Sequence, residues 1–245
     1  MGAFVGLHNK VFLGQLDLTG YASRVNFGEL SRAMPVCTTL GDAGYQCVKP
    51  GLISGSATIE GYQDFASGAV DDNFSVDELG SQFPLTVFPN PTGTVAVGDA
   101  AWLSRGVEAS LNPLSGAKGE MAGFTIELGY DTAIVQGKVA HTATVTTSGS
   151  DSGVALTGPG SGQALYAALH VTAYTSLTNL IVKVQTDDNA SFTSATDRIT
   201  FSTATGLTSE WKSVAGSFSS ETYARVLYTV TGSGSATFAC AVGVI

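Results

Sequence analysis

Residues 51–65 read GLISGSATIEGYQDF. From Ile53 onward apolar and polar positions alternate, and side chains two apart share a face only in a strand, so the stretch is predicted to be one. The alternation assigns Ile53, Ala57, Ile59 and Tyr62 to an apolar side and Glu60 to the opposite side. Residues 11–30, VFLGQLDLTGYASRVNFGEL, alternate less cleanly around glycines and Asp-Leu-Thr-Gly, the pattern of two strands and a turn. Between them, VCTTLGDAGYQCVKP at 36–50 is polar at its centre and reads as a loop or long hairpin tip.

The same texture runs to the C-terminus. PLTVFPN, GTVAVGDAAWLSRGVEASLN, EMAGFTIELGY and AIVQGKVA are strand-length runs up to about residue 141. One segment departs from it: DDNFSVDELGSQF at 71–83 offers Asp71, Asp72 and Ser75 as caps, apolar Phe74, Val76 and Leu79, and Gly80 as a stop, which predicts one short helix. From Thr142 to Gln163 the chain has no Lys, Arg or aromatic residue and is dense in Ser, Thr and Gly, so it is either a linker or a pair of exposed strands turning at Gly158–Gly160. ALYAALHVTAY, NLIVKVQTDD, RITFSTAT, SEWKSVAGSF, YARVLYTVTG and ATFACAVGVI follow as separate strands. The expected fold is all-β in two parts, a sandwich or barrel over 1–141 with one short helix and a second sandwich, jelly-roll or immunoglobulin-like, over 142–245.

With 245 residues, 44% of them hydrophobic, the chain can fill a core of that size. Its formal net charge of −9 repels phosphates, which excludes conventional nucleic-acid binding. Residues 1–14 lack the pattern of a secretory signal and no run suits a membrane span, so synthesis in a cytoplasm is expected. Cys37 and Cys47 could pair across a hairpin, but a cytoplasmic origin favours reduced thiols. Cys240 is left over.

No chemistry-bearing constellation emerges. His8, His141 and His170 are scattered, no serine sits in a G-x-S-x-G elbow, and no phosphate-binding glycine loop is present. The pairs Asp71–Asp72 and Asp187–Asp188 lack the further ligands of a calcium loop and read as turn residues. No enzyme, metal or cofactor is expected. The exposed-looking loop QTDDNASF, with Tyr166, Tyr174, Trp211 and Tyr223, supports a second reading, a carbohydrate-binding or adhesive sandwich or a decoration protein; core packing is the default for rings in apolar runs.

FLGQLDLTGYASRVNF at 12–27, TTLGD at 38–42 and KPGLISGSATIEGYQD at 49–64, in that order, resemble the opening of the major tail tube proteins of siphophages, the phages with long non-contractile tails. Asp17, Leu18 and Thr19 stand where the family has Asp-Leu-Ser, and Leu40 stands where it has Phe before Gly-Asp. SQFPLTVFPN and onward to IELG at 129 is similar to the same pattern, and 167–192 with 223–243 resembles the extra C-terminal sandwich that some of these proteins carry.

The resemblance implies a structural virion protein whose hexameric rings stack into the tail tube through which DNA is ejected. Its partners would be further copies of itself, tape measure and terminator proteins, DNA in passage without specific binding, and host-surface glycans touched by the C-terminal part, without membrane insertion. It also implies lumen-facing carboxylates, with Glu60 and Asp64 the candidates, and an inter-subunit or inter-ring loop carrying Thr38, Thr39, Leu40, Gly41, Asp42 and Tyr45.

Overall fold

A computed structural model describes residues 9–28, 31–38, 46–90 and 93–245. Its strands are β1 Lys10–Leu13, β2 Leu16–Asp17, β3 Ala22–Asn26, β4 Ser31–Arg32, β5 Ile53–Ser54 and β6 Ser56–Tyr62, then β7 Gln82–Phe88, β8 Ala100–Ser115, β9 Gly123–Tyr130 and β10 Val135–Val145. They continue with β11 Gly149–Ser150, β12 Val154–Ala155, β13 Ala164–Asp187, β14 Thr196–Thr200, β15 Thr208–Ala215 and β16 Tyr223–Val244. The protein is all-β, as its alternation predicts. The helix expected over 71–83 is instead one turn, α1 Val70–Asn73, and a separate 3-10 turn, Val76–Glu78. No side chain caps α1, Phe74 is already extended, and Gly80, at φ +91°, ends the segment as expected.

Two strands expected on either side of residue 176 are one 24-residue strand, β13, and the two expected on either side of 233 are one 22-residue strand, β16. They pair antiparallel along nearly their whole length. The ladder shifts register between Val171 and Asn179, where Ser176 has φ 54° and the facing Gly232 has φ +98°. Bulges of this kind bend a strand without ending it. Each long strand therefore serves two sheets. The first half of β13 and the end of β16 lie between β15 and β10, while their other halves lie between β14 and the short β11 and β12. Val145, Leu165, Leu169, Leu180, Val184, Ile199, Phe201, Val226 and Phe238 fill the space enclosed. The Ser/Thr/Gly-rich stretch after Thr142 thus forms strands on β16, with Gly158 and Pro159 buried.

β10 crosses residue 141 without interruption, pairing with β8 on one side and β16 on the other. The sheet runs on through β8, β7 and β1 to β2 and curls, so that Phe12, Phe88, Leu103, Val135, Val139, Ala168 and Ala241 share one core. At this joint His170 of β13 is fully buried. Its Nε2 lies 2.7 Å from Thr86 Oγ1 and its Nδ1 2.7 Å from the Gly14 carbonyl, and its ring stacks on Phe12. Burial lowers its pKa from 6.5 to about 4, so the neutral ring is the resident form.

Candidate assembly surface

The last half of β8 leaves the curled sheet and joins β9, β6 and β3 in a four-stranded antiparallel sheet. One face is apolar: Ala57, Ile59, Phe124, Ile126 and Leu128 are fully buried against Leu13, Leu18, Leu85 and Val70. Gly61 takes the next inward position, where a Cβ would meet the Tyr21 carbonyl oxygen and stand 2.6 Å from the Phe124 ring. The apolar side read from sequence is corrected accordingly. Tyr62 is 47% exposed because Gly61 keeps the period, and Ile53 is 57% exposed because it belongs to β5, outside this sheet.

The opposite face is polar. Register places Arg24, Glu60, Thr125 and Asn112 in one row across the strands, and Asn26, Thr58, Glu127 and Ser110 in the next. Glu60 is exposed opposite Ile59 as the alternation predicts, 3.5 Å from Arg24, an exposed pair that contributes little. Glu127 accepts a hydrogen bond from Ser110 at 3.1 Å. The strand period alone leaves Glu127 without a row; only its pairing opposite Thr58 gives it one. Asp64 lies two residues beyond β6, in a turn, where its carboxylate accepts the Ala66 N–H at 2.9 Å.

Among the described residues, both lateral edges of this sheet are open: the backbone of β3 pairs only with β6, and β8 from Ser110 onward pairs only with β9. Pro113, which has no N–H to offer a ladder, sits on the second edge, where proline is tolerated. Just before this edge, Glu108 pairs through its backbone with Gly80 and Ser81, which follow the 3-10 turn. Glu108 is 2% exposed, and among the described residues neither carboxylate oxygen has a hydrogen-bond partner. Burial, then the nearby Glu78, raises its pKa from 4.5 to about 7.

Between β3 and β6 the chain leaves as an arm. β4 and β5 form its two-stranded base, and the isolated bridge Val36–Val48 continues it. Cys37 and Cys47 are joined by a disulfide, not held as the reduced thiols expected from sequence; the cross-strand bond of Cys37 N–H to the Cys47 carbonyl, 2.8 Å, brings them together. Thr38 Oγ1 accepts the Cys47 N–H at 2.9 Å. Thr39, Leu40, Gly41, Asp42 and Tyr45 lie outside the described residues, as does His8. Met34, Val36, Val48, Leu52 and Ile53 are all exposed on the arm.

The remaining candidates are structural. Asp187, the last residue of β13, accepts the Asn189 and Ser194 N–H groups and the Ser194 hydroxyl where the strand turns away, whereas Asp71 and Asp72 lie within α1 and not in the turn read from sequence, Asp72 accepting the Gly68 N–H. His141 is buried, with Nδ1 2.7 Å from Asp151 and its ring stacked on Phe238. Tyr166 packs on Trp211 at 5.6 Å, half-buried against the joint core, and the Tyr174 hydroxyl donates to the Ala204 carbonyl. Among the described residues no group of three or more His, Cys, Asp or Glu is placed to hold a metal, and no helix is long and apolar enough to cross a membrane.

No family model and no curated protein matches the sequence. Among solved structures, the chain is similar to the sheath/tube terminator of the PVC extracellular contractile injection system, at 14% identity and a TM-score of 0.44, over 56% of this chain and 97% of that one. A chain of the native gene transfer agent virion overlaps at 14% identity and 0.39, over 54% and 97%. The Dit protein of phage SPP1, described as a hub adsorption apparatus in phages infecting Gram-positive bacteria, overlaps at 13% identity and 0.38, over 97% of this chain and 99% of that one. The chain is thus similar in structure to components of phage tails and tail-like particles, at a level that assigns neither a family nor a role.

Proposed function

We propose that this chain is a non-enzymatic tail tube protein of a virion, which assembles into hexameric rings stacked around a DNA channel. The observation that carries the reading is the four-stranded sheet with two open edges. Its strands alternate in direction, so β3 and the end of β8 run oppositely, and one copy's β3 can take a neighbour's β8 with antiparallel pairing preserved. Repetition around a ring removes every edge, the condition under which exposed strands stop being an aggregation hazard. The buried face of each sheet then looks outward to its own core and the polar face lines the lumen, with Glu60 and Glu127 on the wall and Asp64 at its rim.

The reading divides the chain at about residue 141, with the ring-forming part before it and an outer sandwich after it that touches neighbours or host glycans. Tape measure and terminator proteins are the further partners, and the arm with Thr38 and the segment 39–45 reaches the adjacent subunit or ring. Negative-stain electron microscopy of the purified protein across concentration tests this. Six-membered rings that stack into tubes with a central hole are expected. Solitary rings that never stack would replace the tube by a single-ring hub, and monomers at every concentration would overturn assembly altogether.

A further inference from the structure

We infer that the Cys37–Cys47 disulfide is a redox switch that sets the order of the arm between β3 and β6. None of the described residues in 31–38 or 46–54 is buried, so no hydrophobic core holds this segment. What holds it is a short backbone ladder, Ala33 N–H to the Leu52 carbonyl, Gly51 N–H to Ala33, Lys49 N–H to Pro35 and Cys37 N–H to Cys47, together with one covalent bond. Two-stranded hairpins without a packed face are marginal in water. Closing a loop of about 11 residues removes enough chain entropy to favour the ordered arm roughly a hundredfold. Both cysteines are half-exposed at the surface, within reach of small thiols and disulfides.

The chemistry is thiol–disulfide exchange. On closure, one cysteine thiolate attacks a low-molecular-weight disulfide and expels one small thiolate; the second cysteine thiolate then displaces the other. The protein's two thiols become one S–S bond and two small thiols leave, each with a proton. A dithiol reverses this and is itself converted to a cyclic disulfide. The third cysteine takes no part: Cys240 is fully buried among the strands of the C-terminal core, and burial pushes its thiol pKa up. The inference stands on the arm's own contacts and not on the ring reading.

Amide hydrogen exchange of the whole chain tests it, after glutathione disulfide, after dithiothreitol, and in a Cys37→Ser/Cys47→Ser variant, with alkylation counting free thiols. Expected are two fewer reactive thiols after glutathione disulfide, and amides of Ala33, Lys49 and Gly51 that exchange tens of times faster after dithiothreitol. β6 and β9 should be unchanged, and the serine variant should exchange like the reduced protein under both treatments. Protection of those amides that survives confirmed reduction, or that persists in the serine variant, overturns the switch. Alkylation of both cysteines after glutathione disulfide overturns it equally.

Discussion

Glu108 and His170 are both buried ionisable groups, and their effects on stability with pH oppose each other. The folded pKa of Glu108 stands at about 7, above the 4.5 of the free side chain, so the folded state binds its proton more tightly. Its stabilising contribution is complete below pH 4.5 and lost as pH rises through 7, by about 1–2 kcal/mol. His170 is depressed to about 4 from 6.5, so the unfolded chain takes up its proton first. Stability then falls as pH drops from 6.5 toward 4, by about 2–3 kcal/mol. The two offset each other in part over the interval they share, His170 having the larger effect. Urea denaturation should therefore show a shallow profile for the native protein, a steep loss below pH 6.5 in Glu108→Met, and a gain on acidification in His170→Gln, from a lower baseline because the Thr86 and Gly14 bonds are gone. Parallel profiles in all three would show that neither group titrates as its surroundings imply.

The four-stranded sheet and the arm behave differently as elements because one has a core and the other has none. Gly61→Val puts a branched side chain against the Tyr21 carbonyl and Phe124, and should cost about 2–3 kcal/mol in a denaturant titration. Loss of the disulfide should leave that global midpoint nearly unchanged while acting on assembly. With the arm no longer pre-organised, dithiothreitol should raise the concentration at which rings form roughly tenfold, read by sedimentation. Equal assembly with and without reductant would show that the arm makes no contact between copies. VCTTLGDAGYQCVKP is legible as a loop or long hairpin tip flanked by two cysteines, while its pairing is not. Whether the cysteines join depended on which atoms the hairpin register brings together.

In the proposed ring, six copies of a four-stranded sheet would close into a barrel of about 24 strands. At a spacing of about 4.8 Å and a tilt near 45°, its backbone diameter is about 50 Å. Side chains leave about 40 Å, ample for a DNA duplex. A lumen that bears Glu60 and Glu127 repels phosphates, and the chain's net charge of −9 reinforces this. Assembled Glu60→Lys/Glu127→Lys protein should retain its folding stability to within about 0.5 kcal/mol, since both sites are on the polar face. It should also retard duplex DNA at low salt, an effect lost as salt rises, where the native assembly does not. Equal retardation by both would mean that these carboxylates do not line the channel.

The alternation of residues 51–65, the turn residues and the absence of helical periodicity sufficed for an all-β chain and for Glu60 lying opposite Ile59, because both follow from a period of two along one strand. The role of Asp187 at the turn after β13 was equally legible, since an aspartate bonds to N–H groups a few residues away; Asp72 instead falls within α1. Everything that depends on pairing between distant strands was decided by the tertiary structure. Sequence breaks at Ser176 and Gly232 look like turns, yet they are bulges, because each strand bends to keep its partner across the ladder. His170 looks like any histidine in an apolar run; Thr86 and the Gly14 carbonyl, 84 and 156 residues away, make it the joint between the two parts of the fold. The open edges of β3 and β8 are likewise invisible in sequence, because an edge is defined by the neighbour a strand lacks.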